Sequence, residues 1–182
     1  MPSRPPLPRG RPPWLDCWNA PGRAGPTRGP HVNRDFADFL DSLNREGALY
    51  VVIGGMAVLS LIPYRTTRDL DVLIQPTLDN AHKVHTAVRN WSGTEPRFSV
   101  QEFISGDILS FGGLLRVEVH SRVPGADWEQ VWARRVEGEF LGIRTQFASL
   151  DDLIAMKESA GRREKDLPDL KRLKRLRSRS KS

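Results

Sequence analysis

Apolar positions along the chain fall into short runs of two kinds, one spaced like a helix face and one like a strand. After Asn33, a good N-cap, Phe36, Phe39, Leu40 and Leu43 keep helical spacing, and Gly47 supplies a stop. Leu49-Tyr50-Val51-Val52-Ile53 is a β-rich run of buried-strand type, broken by Gly54-Gly55. Met56 to Ile62 predicts a short helix ended by Pro63, and Leu70 to Ile74 a strand closed by Pro76. Ala81, Val84, Val88 and Trp91 mark one face of a further helix. Phe98 to Ile104, Ile108 to Phe111 and Leu114 to His120 predict strands, the last two joined by a hairpin turn at Gly112-Gly113. Trp128 to Ala133 predicts a helix, and Phe140 to Phe147 a hairpin turning at Gly142. Two helices finish the pattern. The first runs from Asp151 to about Ala160 with Leu150, Leu153 and Ile154 on its buried side; the second carries Leu167, Leu170, Leu173 and Leu176, with Pro168 in its first turn. Strands and hairpins mixed with helices predict an α/β (α+β) domain, a mixed sheet flanked by helices and ending in C-terminal helices.

Composition divides the chain. Its 182 residues suffice for one compact domain with tails. Nine of the fourteen prolines lie in the first thirty residues with Gly10, Gly22, Gly25 and Gly29, a segment too poor in apolar surface to offset the entropy of ordering it. Residues 1–31 are therefore expected to be a disordered Pro/Arg/Gly-rich tail, residues 32–176 the folded domain, and residues 177–182 a basic Arg/Ser tail. No apolar run approaches the ~18 residues that cross a bilayer, and no apolar stretch follows the N-terminal arginines as in a secretory signal. The single cysteine, Cys17, leaves no internal disulfide and no multi-cysteine metal cluster. A cytoplasmic protein is the expectation.

The net charge of +6 is unevenly spread. Residues 1–31 hold five arginines and one aspartate, and residues 157–182 hold eleven basic and four acidic side chains, so the middle of the chain is acidic. Basic ends attract phosphates without sequence preference, or are simply solvated.

Candidate chemistry lies in that acidic middle. In Arg65-Thr66-Thr67-Arg68-Asp69-Leu70-Asp71-Val72, strand alternation sends Leu70 and Val72 one way and Asp69 and Asp71 the other. Alone, an Asp-x-Asp pair is commonly two exposed aspartates, one capping a turn. Two adjacent carboxylates repel, however, and a divalent cation with oxygen ligands, magnesium or manganese, relieves the repulsion. Gly54-Gly55, between a strand and a helix, lets the backbone approach a phosphate at a helix N-terminus. In Leu115-Arg116-Val117-Glu118-Val119-His120 the valines form the apolar face, with Arg116, Glu118 and His120 opposite. Glu118 is a candidate third ligand; His120 belongs at the rim of such a site. His82 and His85 fall on the solvent side of their helix, and a zinc site needs more ligands than the sequence groups together.

Together, Ile53-Gly54-Gly55, Asp69-Leu70-Asp71-Val72 and Val117-Glu118-Val119 resemble the nucleotidyltransferase superfamily, whose best-known member is DNA polymerase beta. The Arg65-x-Thr67-x-Asp69 lead-in looks more specifically like the minimal bacterial and archaeal branch that includes AbiEii-type toxins of toxin–antitoxin systems. Ser149 to Lys157, followed by Arg163-Glu164-Lys165-Asp166-Leu167-Pro168-Asp169-Leu170, is similar to that branch's closing helices. The resemblance spans about residues 34–176. It departs from the pattern at Gly55, where many relatives have serine, and at Glu118, where aspartate is more usual. The Gly-Ser-x-Ala-Arg-Gly signature of the small antitoxin-type branch is missing.

The resemblance implies a nucleotidyltransferase fold and transfer of a nucleoside monophosphate from a nucleoside triphosphate to a hydroxyl. Asp69 and Asp71 would bridge two Mg2+ ions (or Mn2+), with Glu118 completing the second site beside the attacking hydroxyl. Gly54 and Gly55 would cradle the triphosphate, with Arg65, Thr67, Arg68, Lys157, Arg163 and Lys165 around it. Lys157 lies seven positions after Leu150 on an otherwise apolar face, so it is expected to point inward, where a lysine snorkelling at the core edge is the structural alternative. Asp166 and Asp169 would orient the closing cations or cap the last helix. The expected acceptor is RNA or protein, with an antitoxin partner in prospect. Alternatives are an enzyme modifying a small molecule such as an antibiotic, a non-catalytic RNA- or partner-binding protein on the same fold, and a metal-dependent nuclease.

Overall fold

A computed structural model describes residues 30–62, 67–112, 116–161 and 167–179. Of the segment 1–31 expected to be disordered, residues 1–29 lie outside the described residues and Pro30 and His31 instead begin the first helix; the turn residue Gly113, the candidate cations Arg65, Arg163 and Lys165, and Asp166 also lie outside the described residues.

The described residues open with α1 (Pro30–Arg45), which buries Phe36, Phe39, Leu40 and Leu43 as its spacing requires. It begins before Asn33, and the proline at its head needs no hydrogen-bond acceptor for a missing N–H. Then follow β1 (Tyr50–Ile53), α2 (Gly54–Leu61), β2 (Asp69–Ile74) and α3 (Leu78–Ser92). Thr77 caps α3 by accepting the Asn80 N–H, and Gly93 closes it in the left-handed conformation. A 3₁₀ turn at Val100–Ile104 leads to β3 (Ile108–Gly112), β4 (Arg116–His120), α4 (Trp128–Arg134), β5 (Val136–Phe140) and β6 (Ile143–Phe147). The chain closes with α5 (Leu150–Ser159), capped by Ser149, and α6 (Leu167–Arg179). Thus α6 continues past Leu176 into the stretch expected as a tail; arginines in its last turn face the negative end of the helix dipole.

The strand expected over Phe98 to Ile104 is not formed. Glu102 reaches back to accept both the backbone N–H of Ser99 (2.7 Å) and its hydroxyl (2.8 Å), which folds the segment into a capped turn. Phe98 and Phe103 then both pack on Phe111 of β3, with centroids 5.4 and 6.0 Å away.

The result is an α/β protein with a six-stranded mixed sheet in the order β3-β4-β2-β1-β6-β5. β2 runs parallel to β4 and β1 parallel to β6, while the β1–β2, β3–β4 and β5–β6 pairs are antiparallel. One sheet face presents Tyr50, Val52, Leu70, Val72, Val117 and Val119 to a core closed by α1 and α3. Tyr50 marks that side by donating its hydroxyl to Asn44 near the end of α1, and its burial holds the phenol above its usual range. On the other side α2 packs on β1 and β2, and α5 and α6 pack on each other and on α2. No helix among the described residues is long and apolar enough to cross a membrane.

Candidate metal centre

Pairing register brings the acids together. In the parallel β2–β4 ladder Asp69 stands opposite Arg116, Asp71 opposite Glu118, and Leu73 opposite His120. The intervening Leu70, Val72, Val117 and Val119 are fully buried on the α1/α3 side, so Asp69, Asp71, Arg116, Glu118 and His120 share the opposite face. The strong apolar demand of the first face fixes the polar one, since a one-residue slip would turn the acids into the core.

On its other side Asp71 is paired with Ile53, the last residue of β1, where the chain enters α2 through Gly54. Gly54 has φ +61°, and a Cβ there would overlap Asp71 Oδ2 and stand 2.7 Å from its Cγ. The Asp71 carboxylate therefore lies directly against the first residue of α2, near the positive end of that helix. Gly55 is buried inside the same helix.

His120 lies deeper than the rim position expected for it. Its Nε2 is 3.4 Å from Asp71 Oδ1 and 3.9 Å from Glu118 Oε2. The residue is only 9% exposed, and Nε2 has no hydrogen-bond partner among the described residues. Glu118 Oε1 lies 3.5 Å from Arg116 Nη1 on the solvent side, where Arg116 is half exposed. One ligand atom each from Asp71, Glu118 and His120 falls within 4.8 Å of the others. Asp69 shares their face and is not one of the three.

The other sequence-derived candidates among the described residues are engaged apart from these three side chains. Thr67 is engaged with its own strand, its hydroxyl donating to the Asp69 carbonyl (3.1 Å) and accepting the Asp69 N–H (3.4 Å). Arg68 is exposed, and its carbonyl accepts the Arg116 N–H. Lys157 does point inward, its side chain 10% exposed, and its Nζ lies 3.4 Å from Oδ2 of the buried Asp169 on α6. His85 is a correction: instead of facing solvent, it meets Phe103 edge-on, with Nε2 3.7 Å from Glu95 Oε1. Sequence reasoning undervalued His120, although its position two residues after Glu118 carried the signal.

Two carboxylates and an unengaged imidazole nitrogen suit a divalent cation. The orphaned Nε2, within reach of two acids, is the kind of buried polar atom that a bound ion satisfies. The chain matches no protein-family model and no curated protein.

Proposed function

We propose that the protein is a metal-dependent nucleotidyltransferase with the nucleotidyltransferase fold, moving a nucleoside monophosphate from a nucleoside triphosphate to a hydroxyl of an RNA or protein acceptor. The observation that carries this reading is the side-by-side pairing of Asp71 and Glu118 on neighbouring strands, with Gly54 of α2 against Asp71. Asp71 and Glu118 would hold the cation, and Asp69, on the same face, would serve a second one. Bound divalent ions supply charge neutralisation for the triphosphate and its developing negative charge. The chain's own residues do the rest. Gly54, free of a side chain, lets the Asp71 carboxylate lie against the start of α2, where a triphosphate held by the cation would meet the positive end of that helix. Glu118, beside the half-exposed Arg116, is the acid best suited to accept the proton of the attacking hydroxyl. Arg116, half exposed beside Glu118, adds a cation at the mouth of the site.

An RNA acceptor is favoured over a cationic small molecule by α6, which exposes Lys171, Arg172, Arg175 and Arg179. A partner that restrains the enzyme, as an antitoxin does, fits the same reading.

The test is incubation with α-labelled nucleoside triphosphates, Mg2+ or Mn2+, and total cellular RNA and protein. Wild type should label an acceptor and release pyrophosphate, and Asp71→Asn should lower labelling by about a hundredfold or more. Equal labelling by both proteins removes the reading. Shortened RNA without pyrophosphate assigns the same acids to a nuclease.

A further inference from the structure

We infer that His120 is itself a ligand of the cation, and that this makes the centre prefer a transition ion of the Mn2+ type to Mg2+. The inference rests on the cation-binding part of the proposed function and is independent of the nucleotide chemistry.

Donor spacing comes first. Ligands held at about 2.1 Å from one small divalent ion lie roughly 3 to 4.2 Å from each other, depending on the angle between them. The Nε2–Asp71 and Nε2–Glu118 distances of 3.4 and 3.9 Å both fall within that span. Hydrogen bonding is the second argument. Among the described residues His120 Nε2 has no hydrogen-bond partner, although the residue is only 9% exposed. Nε2 thus faces the carboxylates as an unsatisfied atom, and an ion between the three groups satisfies it.

Charge balance is the third. Asp71 and Glu118 bring two negative charges into a part-buried spot, each side chain about one-fifth exposed. Among the described residues the arginine or lysine paired with these acids is Arg116, which is half in water and meets Glu118. The remaining charge asks for a cation on the inner side, where His120 sits.

The consequence for selectivity follows from ligand type. Mg2+ strongly prefers oxygen and gives up water reluctantly, whereas imidazole nitrogen stabilises Mn2+ and the later divalent ions. An all-carboxylate centre, the arrangement expected from Asp69, Asp71 and Glu118, lacks that bias.

The experiment is Mn2+ titration of the full chain followed by electron paramagnetic resonance, with pulsed detection of nitrogen coupling to the bound ion. Mg2+ competition gives the selectivity. Expected are a bound ion showing coupling to one imidazole nitrogen and Mn2+ held at least about tenfold more tightly than Mg2+. In His120→Leu, with folding checked by circular dichroism, the coupling should vanish and the preference shrink. The wild-type spectrum alone decides the matter if that variant does not fold. Absence of Mn2+ binding, or binding without nitrogen coupling, overturns the inference. Nitrogen-coupled Mn2+ without labelling activity upholds it while removing the nucleotidyltransferase reading; labelling activity with a nitrogen-free ion does the reverse.

Discussion

At the scale of single residues, the contact between Gly54 and Asp71 sets what position 54 can hold. A side chain there meets two obstacles: a left-handed backbone and the Asp71 carboxylate. Gly54→Ala should lose roughly 1–2 kcal/mol from the backbone conformation alone. Removing the overlap requires Asp71 to move, so Mn2+ binding should fall as well. Denaturant unfolding and metal titration of the same variant check both effects; an unchanged metal affinity would mean that Asp71 is not held by this contact. The sequence showed a Gly-Gly break between strand and helix, and showed by alternation that Asp69, Asp71, Glu118 and His120 lie on polar strand faces. It could not show that β2 and β4 are neighbours. That fact depends on pairing between segments more than forty residues apart in the chain, and alternation within one strand carries no information about which strand lies beside it. For the same reason His120 was visible as a face-mate of Glu118 but not as a neighbour of Asp71.

At the scale of elements, the segment before β3 shows a local polar contact overriding periodicity. Phe98-Ser99-Val100-Gln101 alternates like a strand, yet Ser99 and Glu102 stand at capping-box spacing, and Phe98 and Phe103 both reach Phe111 once the turn forms. Hydrogen bonds from the Ser99 backbone and then its hydroxyl hold the Glu102 carboxyl below its usual range. A carboxyl with a depressed folded pKa contributes stability that is present above the ordinary carboxylate range. That contribution is lost as pH falls through the folded value. Glu102→Gln should therefore melt below wild type at neutral pH, and the gap in Tm should close in strongly acidic buffer. A gap that persists there would assign the effect to turn geometry and not to the charge. Long elements such as α1 and α3 were legible because many apolar positions agree on one period, whereas a five-residue turn is decided by two side chains.

At the scale of the molecule, the C-terminal helices are joined to the centre through α2. α5 and α6 pack on each other and on α2, the helix whose first residue lies against Asp71. Leu173 is fully buried and Leu170 and Leu176 partly so, which accounts for the leucine spacing of α6. Lys157 and Asp169 meet within this layer, their side chains 10% and 6% exposed. The inward direction of Lys157 was legible from its place on an apolar helix face; its companion on α6 was not, because the spacing of one helix does not name the residue facing it. An ion pair this deep is costly to break and seldom better than an apolar pair of similar size. Lys157→Met alone should destabilise by about 3 kcal/mol, since it takes a cation from the buried Asp169. Lys157→Met combined with Asp169→Leu should recover most of that loss, a coupling read directly from a double-mutant cycle in denaturant. A phosphate-gripping lysine behaves differently: its removal weakens nucleotide binding, and the second substitution restores nothing. Stability recovered in the double variant, with nucleotide affinity unchanged in both, would make Lys157 the tie between α5 and α6. Affinity lost in both variants would give it the role that its position in the sequence suggests.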